Sequence, residues 1–243
     1  MKNRLLKLSI SLVAIILFLT NCEAQKYGRI KGDGNVINET REVGNFEKIG
    51  VSGSFDIDLV KGNEGLIEIK IEKNLLPYLI TDVENGKLKI RWKKGTNINT
   101  NRGVHLIVHF KEINELASSG SSDIKSKDLI KTDNLEVAVS GSGNISLQVD
   151  VNELNARVSG SGDLDFKGSA DKFKAAMSGS GDIEAFALET NTANLKISGS
   201  ADITISVKDE LYARVSGSGD ITYKGNPKIE DIKVSGSGEV SSN

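Results

Sequence analysis

The chain has 243 residues, with 31 basic and 33 acidic side chains and a net charge of −2. That balance argues against a polyanionic partner, so no nucleic-acid partner is expected. One cysteine excludes a disulfide framework, and 25 glycines against two prolines suit a strand-rich chain with many bends.

Residues 1–21 read as an export signal. Lys2, Arg4 and Lys7 give a positive start, and Leu8 to Phe18 an apolar run. The run is too short to span a bilayer, and no later stretch approaches the ~20 apolar residues that a spanning helix needs. Cys22 follows Leu19-Thr20-Asn21, which resembles a bacterial lipobox with Asn21 where Gly, Ala or Ser is usual. Two processing routes fit these residues. Cleavage before Cys22 would leave a lipid-anchored protein, and cleavage before Gln25 a soluble secreted one. The expected location is the outer membrane, cell surface or periplasm, with membrane contact only through the lipid on Cys22. Removal of residues 1–21 leaves 28 basic residues against 33 acidic, a charge of about −5. Residues 22–45 read as a polar leader that tethers the folded part of the chain.

Residues 46–112 form an N-terminal β region. Ile49, Val51, Gly53, Phe55, Ile57 and Leu59 alternate as in a strand with one buried face. Ile67, Ile69 and Ile71 make a second strand, and Asn74 to Tyr78 a helical turn or loop. Asn85-Gly86 between Val83 and Leu88 predicts a two-residue hairpin turn, because both positions tolerate positive φ. Lys87, Lys89, Arg91 and Lys93 fall on one face of the returning strand. They make either a solvated face or a surface for an acidic glycan or lipid headgroup. Leu106, Val108 and Phe110 give a last strand. His105 and His109 share its opposite face but lie about 13 Å apart, too far to chelate one ion.

Residues 113–243 carry a repeated Ser-Gly-Ser-Gly-Asp-Ile phrase, beginning at Ser119, Ser140, Ser159, Ser178, Ser198, Ser216 and Ser235. The steps are 21, 19, 19, 20, 18 and 19 residues, the period of a solenoid whose units bury their apolar faces against one another. Leu154, Ala156 and Val158 precede one phrase and Leu164 and Phe166 follow it, again at every second place. From Val139 to Ile145 the count is even, so the alternation passes through the phrase without a slip. Both glycines then fall inward, at a corner where a Cβ would obstruct the turn. The fold class expected is all-β, a parallel β-solenoid with coils of about 19 residues and an antiparallel hairpin insertion in its N-terminal half.

Stacking such coils lines up like residues. One outer row is Ser140, Ser159, Ser178, Ser198 and Ser216, expected to hydrogen-bond along the axis. The candidate surface ladder is Asp123, Asn144, Asp163, Asp182, Asp202, Asp220 and Glu239. Neighbouring unit charges at strand spacing repel by about 1 kcal/mol in water, so the row is tolerable without a metal. No cofactor and no metal site is expected; a calcium-dependent module built on Asp163, Asp182 and Asp202 is the alternative. No nucleophile elbow, phosphate loop or Cys–His pair is present, and short uniform coils leave little room for a cleft, so no enzyme is expected.

The segment from Phe46 to Ile57, the Asn74-Leu-Leu-Pro stretch, the Asn85-Gly86-Lys-Leu-Lys-Ile90 hairpin and the repeated Val-Ser-Gly-Ser-Gly-Asp-Ile resemble the putative auto-transporter adhesin head domain, the GIN domain. The resemblance spans about residues 45–225. It implies a right-handed β-helix and an exported, envelope-associated protein, and it supplies no catalytic residues. The function expected is a non-enzymatic surface-binding module or adhesin whose ligand is a glycan or a protein. The alternative is a self-associating envelope scaffold, a homo-oligomer docked through the last coil at Val234 and Val240.

Overall fold

The computed structural model describes residues 28–243; the export signal and Cys22 lie outside the described residues. Its N-terminal half contains β1 (Arg29–Lys31), β2 (Val36–Glu42), β3 (Lys48–Gly53), β4 (Asp56–Lys61), β5 (Leu66–Glu72), a 3-10 turn (Leu76–Tyr78), β6 (Leu79–Glu84), β7 (Lys87–Trp92), β8 (Asn97–Asn99) and β9 (His105–Phe110). The repeats form β10 (Glu115–Gly120), β11 (Asp123–Ser126), β12 (Ile130–Gly141), β13 (Ile145–Gly160), β14 (Leu164–Gly179), β15 (Ile183–Gly199), β16 (Ile203–Gly217), β17 (Ile221–Lys224), β18 (Ile229–Gly236) and β19 (Val240–Ser242).

These strands wind into a solenoid. Before each corner, β7, β3, β10 and β12, the second halves of β13 to β16, and then β18 lie side by side in parallel. After each corner, β9, β4, β11, the first halves of β13 to β16, and then β17 and β19 do the same. The alternation is honoured within the stack, where Leu154, Ala156, Val158, Leu164 and Phe166 are all buried, and lapses in the last coil, where Ile229 and Val234 are exposed. Phe166 meets Phe173 edge-on at 5.8 Å between ring centroids. The step of 20 residues reflects one extra residue in β15 and the step of 18 one fewer in β16, taken up by register shifts between β14 and β15 after Asp165 and between β15 and β16 from Ala185 to Thr192.

Eight glycines from Gly53 to Gly236 stack in register at the corner, but not for the reason the sequence suggests. Gly160 has φ +131°, and a Cβ there would lie 2.3 Å from the carbonyl oxygen of Gly141 in the preceding coil. That same oxygen accepts the Ser161 N–H at 2.8 Å. The absent Cβ would therefore have pointed along the axis into the neighbouring rung. Glycine is needed here both for the positive φ of the corner and for coil-on-coil contact.

The N-terminal half extends the stack before closing it. Coil β3–β4 lies under the repeats, β7 and β9 run parallel to it, and antiparallel strands finish both faces, β6 on β7 and β5 on β9. The predicted hairpin is present, with Asn85 at φ 53° and Gly86 at φ 72°. The leader is a correction: residues 36–42 are β2, paired antiparallel with β5 along its whole length. Its burial pattern is mostly exposed, as befits an edge strand, so no apolar alternation betrayed it. Arg41 secures it by donating to the carbonyls of Leu79 at 2.9 Å and Leu76 at 3.3 Å.

Candidate functional site

The acid ladder occupies one exposed column, and its side chains serve the backbone. Asp123 N still donates to the Phe55 carbonyl at 2.9 Å, whereas at the corner the peptide N–H of each ladder residue from Asn144 onward has left the strand pairing. The side chain one coil earlier accepts it: Asp163 Oδ1 from Asp182 N at 2.9 Å, Asp182 Oδ1 from Asp202 N at 3.1 Å, Asp202 Oδ1 from Asp220 N at 2.8 Å and Asp220 Oδ1 from Glu239 N at 2.7 Å. Asn144 does the same neutrally, its Oδ1 accepting Asp163 N at 3.2 Å, while its own N–H reaches Asp123 Oδ1 at 3.3 Å. An oxygen acceptor is what the position requires, and a charge is optional. Among the described residues no three His, Cys, Asp or Glu side chains gather where they could hold a metal ion. His105 pairs with Asp58 at 3.1 Å and His109 with Glu68 at 2.9 Å, each on its own.

Glu72 is the buried carboxylate of the molecule's N-terminal end, with no solvent exposure. It accepts the Gly34 N–H at 2.7 Å, the Thr100 hydroxyl at 2.7 Å and the Asn101 N–H at 2.9 Å. Burial pushes its pKa up, but these donors outweigh burial and hold it below the ordinary value. A Cβ on Gly32 would lie 2.0 Å from this carboxylate, so the cradle is closed to ligands and ties the first strands to β5.

The surface suited to a ligand is the outer face of the strands that lead into the corners. Here a trough of ≈ 800 Å³ runs across β7, β3, β10, β12, β13, β14 and β15. Two outward positions per coil build it. One is the serine of the corner phrase, exposed from Ser119 through Ser198. Serine hydroxyls that bond along the axis belong to other columns, Ser146 to Asp165 at 2.9 Å and Ser169 to Asp150 at 3.1 Å. The other position, two residues earlier, holds Gly50, Ala117 and Ala138 in three adjacent strands, then Arg157, Ala176 and Lys196. Small residues make a floor of methyl groups, and long cations stand around it.

Lys89, Arg91, Arg157 and Lys196 line the trough, and no acid does. Acids sit at its margin: Lys89 pairs with Glu84, Arg91 with Asp82 at 3.5 Å and Arg157 with Glu136 at 3.8 Å. The bond from Lys89 holds the Glu84 carboxyl below its usual range. Such exposed pairs are worth about 0–1 kcal/mol, so the cations remain available to another anion. Of the basic stripe, Lys89 and Arg91 belong to the trough, whereas Lys87 crosses toward β10 and pairs with Glu115 at 2.6 Å. Sequence reasoning missed the trough. Its only signal was the run of small residues before Val-Ser-Gly, and Gly50 stands far from Ala117 in the chain.

No curated protein matches the chain. A crystal structure of a putative adhesin from Bacteroides fragilis is 25% identical and superposes with a TM-score of 0.84, covering 88% of this chain and 100% of that one. A putative lipid binding protein from Parabacteroides distasonis is 27% identical, with a TM-score of 0.75, over 89% and 100% of the two chains. A putative adhesin from Parabacteroides merdae, 24% identical with a TM-score of 0.71 over 88% and 99%, shares the fold. Residues 45–227 match the model of the family described as putative auto-transporter adhesin, head GIN domain. The chain belongs to that family.

Proposed function

We propose that this protein is an exported, lipid-anchored binding module of the adhesin kind, which engages its ligand through the trough on the outer strand face. The observation that carries this reading is the trough itself, an open surface of small residues, exposed serines and four cations with no acid among the residues that line it. The residues of the N-terminal signal and Cys22 support export and anchoring, and the similar protein from Bacteroides fragilis is described as a putative adhesin. Binding here requires no bond to be made or broken. The rigid stack fixes the outward side chains at strand spacing, so a ligand meets a surface that is already ordered.

Two measurements test this. The mass of the native N-terminus should correspond to a diacylated Cys22; a start at Gln25 would overturn the anchor. Glycan and protein arrays probed with the chain lacking residues 1–21 should return ligands that an Ala138→Trp variant fails to retain. Ala138 is half-buried on the outer face, so the variant fills the trough without entering the core. Equal retention by both proteins would remove the trough from the function.

A further inference from the structure

Resting on that assignment of the binding surface, we infer that the trough takes an acidic oligosaccharide, its carboxylates held between cations at the two sides of the floor. Lys89 and Arg91 stand on β7, and Arg157 stands on β13. Between them lie β3, β10 and β12 with Gly50, Ala117 and Ala138 facing outward. Four strand steps of about 4.8 Å separate the two cationic margins by roughly 19 Å. One notch further, Ala176 repeats the small floor and Lys196 the cation. Lys196 has no acidic partner among the described residues.

Each part of this surface answers a part of a sugar chain. Glycan rings present apolar C–H faces, which a floor of alanine methyl groups and glycine backbone can meet closely. Their rims present hydroxyls, and the serine row offers one donor and two acceptor lone pairs per coil. Carboxylates spaced along the chain match Arg91 and Arg157, whose guanidinium forks bind carboxylate in a bidentate manner. An acyl chain fits less well. The trough is open along its length, so an acyl chain would keep much of its surface in water, where burial gains it little. A neutral glycan would make no use of the charge on the four cations, of which Lys196 has no acidic partner among the described residues.

The experiment titrates the chain lacking residues 1–21 with hexamers of galacturonate, mannuronate and glucuronate, and with their methyl esters, at low and high salt. Vesicles containing phosphatidylglycerol serve as the rival anionic surface. At least one acid hexamer should bind roughly tenfold tighter than its uncharged ester, and high salt should erase the difference. Arg157→Ala should weaken that hexamer about fivefold, the worth of one exposed ion pair. Ala138→Trp should abolish binding while retaining the wild-type thermal midpoint, which separates a filled trough from an unfolded chain. Equal affinity for acid and ester, or binding to vesicles with none to any hexamer, would overturn the ligand class while leaving the trough as a site. A hexamer bound undiminished by Ala138→Trp would overturn the site as well.

Discussion

Adding one methyl group at Gly160 should cost the protein more than adding one at Gly162, two residues away. At Gly160 two penalties coincide. Its φ of +131° is a conformation that residues with a Cβ rarely adopt, which costs about 1–3 kcal/mol. The new Cβ would also lie 2.3 Å from the Gly141 oxygen and 3.1 Å from its carbon, both backbone atoms of the coil below. Relief requires the rungs to part, at about 1–3 kcal/mol on the scale of core overpacking. Gly160→Ala should therefore lose roughly 2–6 kcal/mol. At Gly162 only the second penalty applies, with the Gly143 oxygen at 2.3 Å. The molecule already houses a Cβ in that column at Ser122 and Ala201, both fully buried. Gly162→Ala should lose about 1–3 kcal/mol. Urea unfolding followed by far-ultraviolet circular dichroism, with unchanged slopes, compares the two midpoints directly. If Gly160→Ala proved as stable as Gly162→Ala, the added cost of the positive φ would be refuted, and if neither variant lost stability the stacking explanation of the corner glycines would fail.

Three further outcomes rest on single side chains. Ser118 faces the core in register with Val51 and Val139, and its buried hydroxyl has no hydrogen-bond partner. Ser118→Val should stabilise by about 1–3 kcal/mol, seen as a higher thermal midpoint, because the unpaired hydroxyl is removed and apolar area gained; a lower midpoint would refute this. Asp182→Asn should be neutral, since Asn144 already plays that part, whereas Asp182→Ala should lose about 0.5–1.5 kcal/mol with the acceptor for Asp202 N. A chelator should leave both midpoints in place. For Glu72, the folded pKa lies below the ordinary 4.5, so the unfolded chain takes up the proton first as pH falls. Its contribution is complete above about pH 5 and disappears as pH drops through the folded value. The stability gap between wild type and Glu72→Gln should therefore narrow below pH 5, and a gap that widened on acidification would contradict the sign.

How far the sequence disclosed this molecule depends on which residues must meet. Alternation within a coil is local, so Leu154, Val158, Leu164 and Phe166 could be assigned inward from their spacing alone, and Asn85-Gly86 announced its own turn. The acid row was legible as a column, but its purpose was not. Only the corner geometry shows that the Asp182 N–H leaves the strand pairing and needs Asp163. Strand β2 escaped because an edge strand with Asn38, Glu39, Thr40 and Arg41 carries little apolar signal; its pairing with β5 is what defines it. The trough escaped for a different reason. Outward-facing alanines say nothing until stacking places residues 48–53, 115–120 and 136–141 side by side.

The repeats supply an internal comparison of which positions the stack constrains and which it leaves free. At the corner, the first glycine is present in all eight coils, and an oxygen acceptor comes after it in seven successive coils from Asp123 to Glu239. Both have a structural task, one clearing the path of the neighbouring rung and the other receiving its N–H. The outward position before Val-Ser-Gly is different. It holds Gly50, Ala117, Ala138, Arg157, Ala176, Lys196, Arg214 and Lys233, a range of sizes and charges that no stacking requirement explains. A side chain there touches neither the core nor the corner, so it can change at little cost to folding. That freedom is what the proposed binding role asks of the variable column beside the serines. The conspicuous Ser-Gly-Ser-Gly-Asp phrase chiefly holds that column in place.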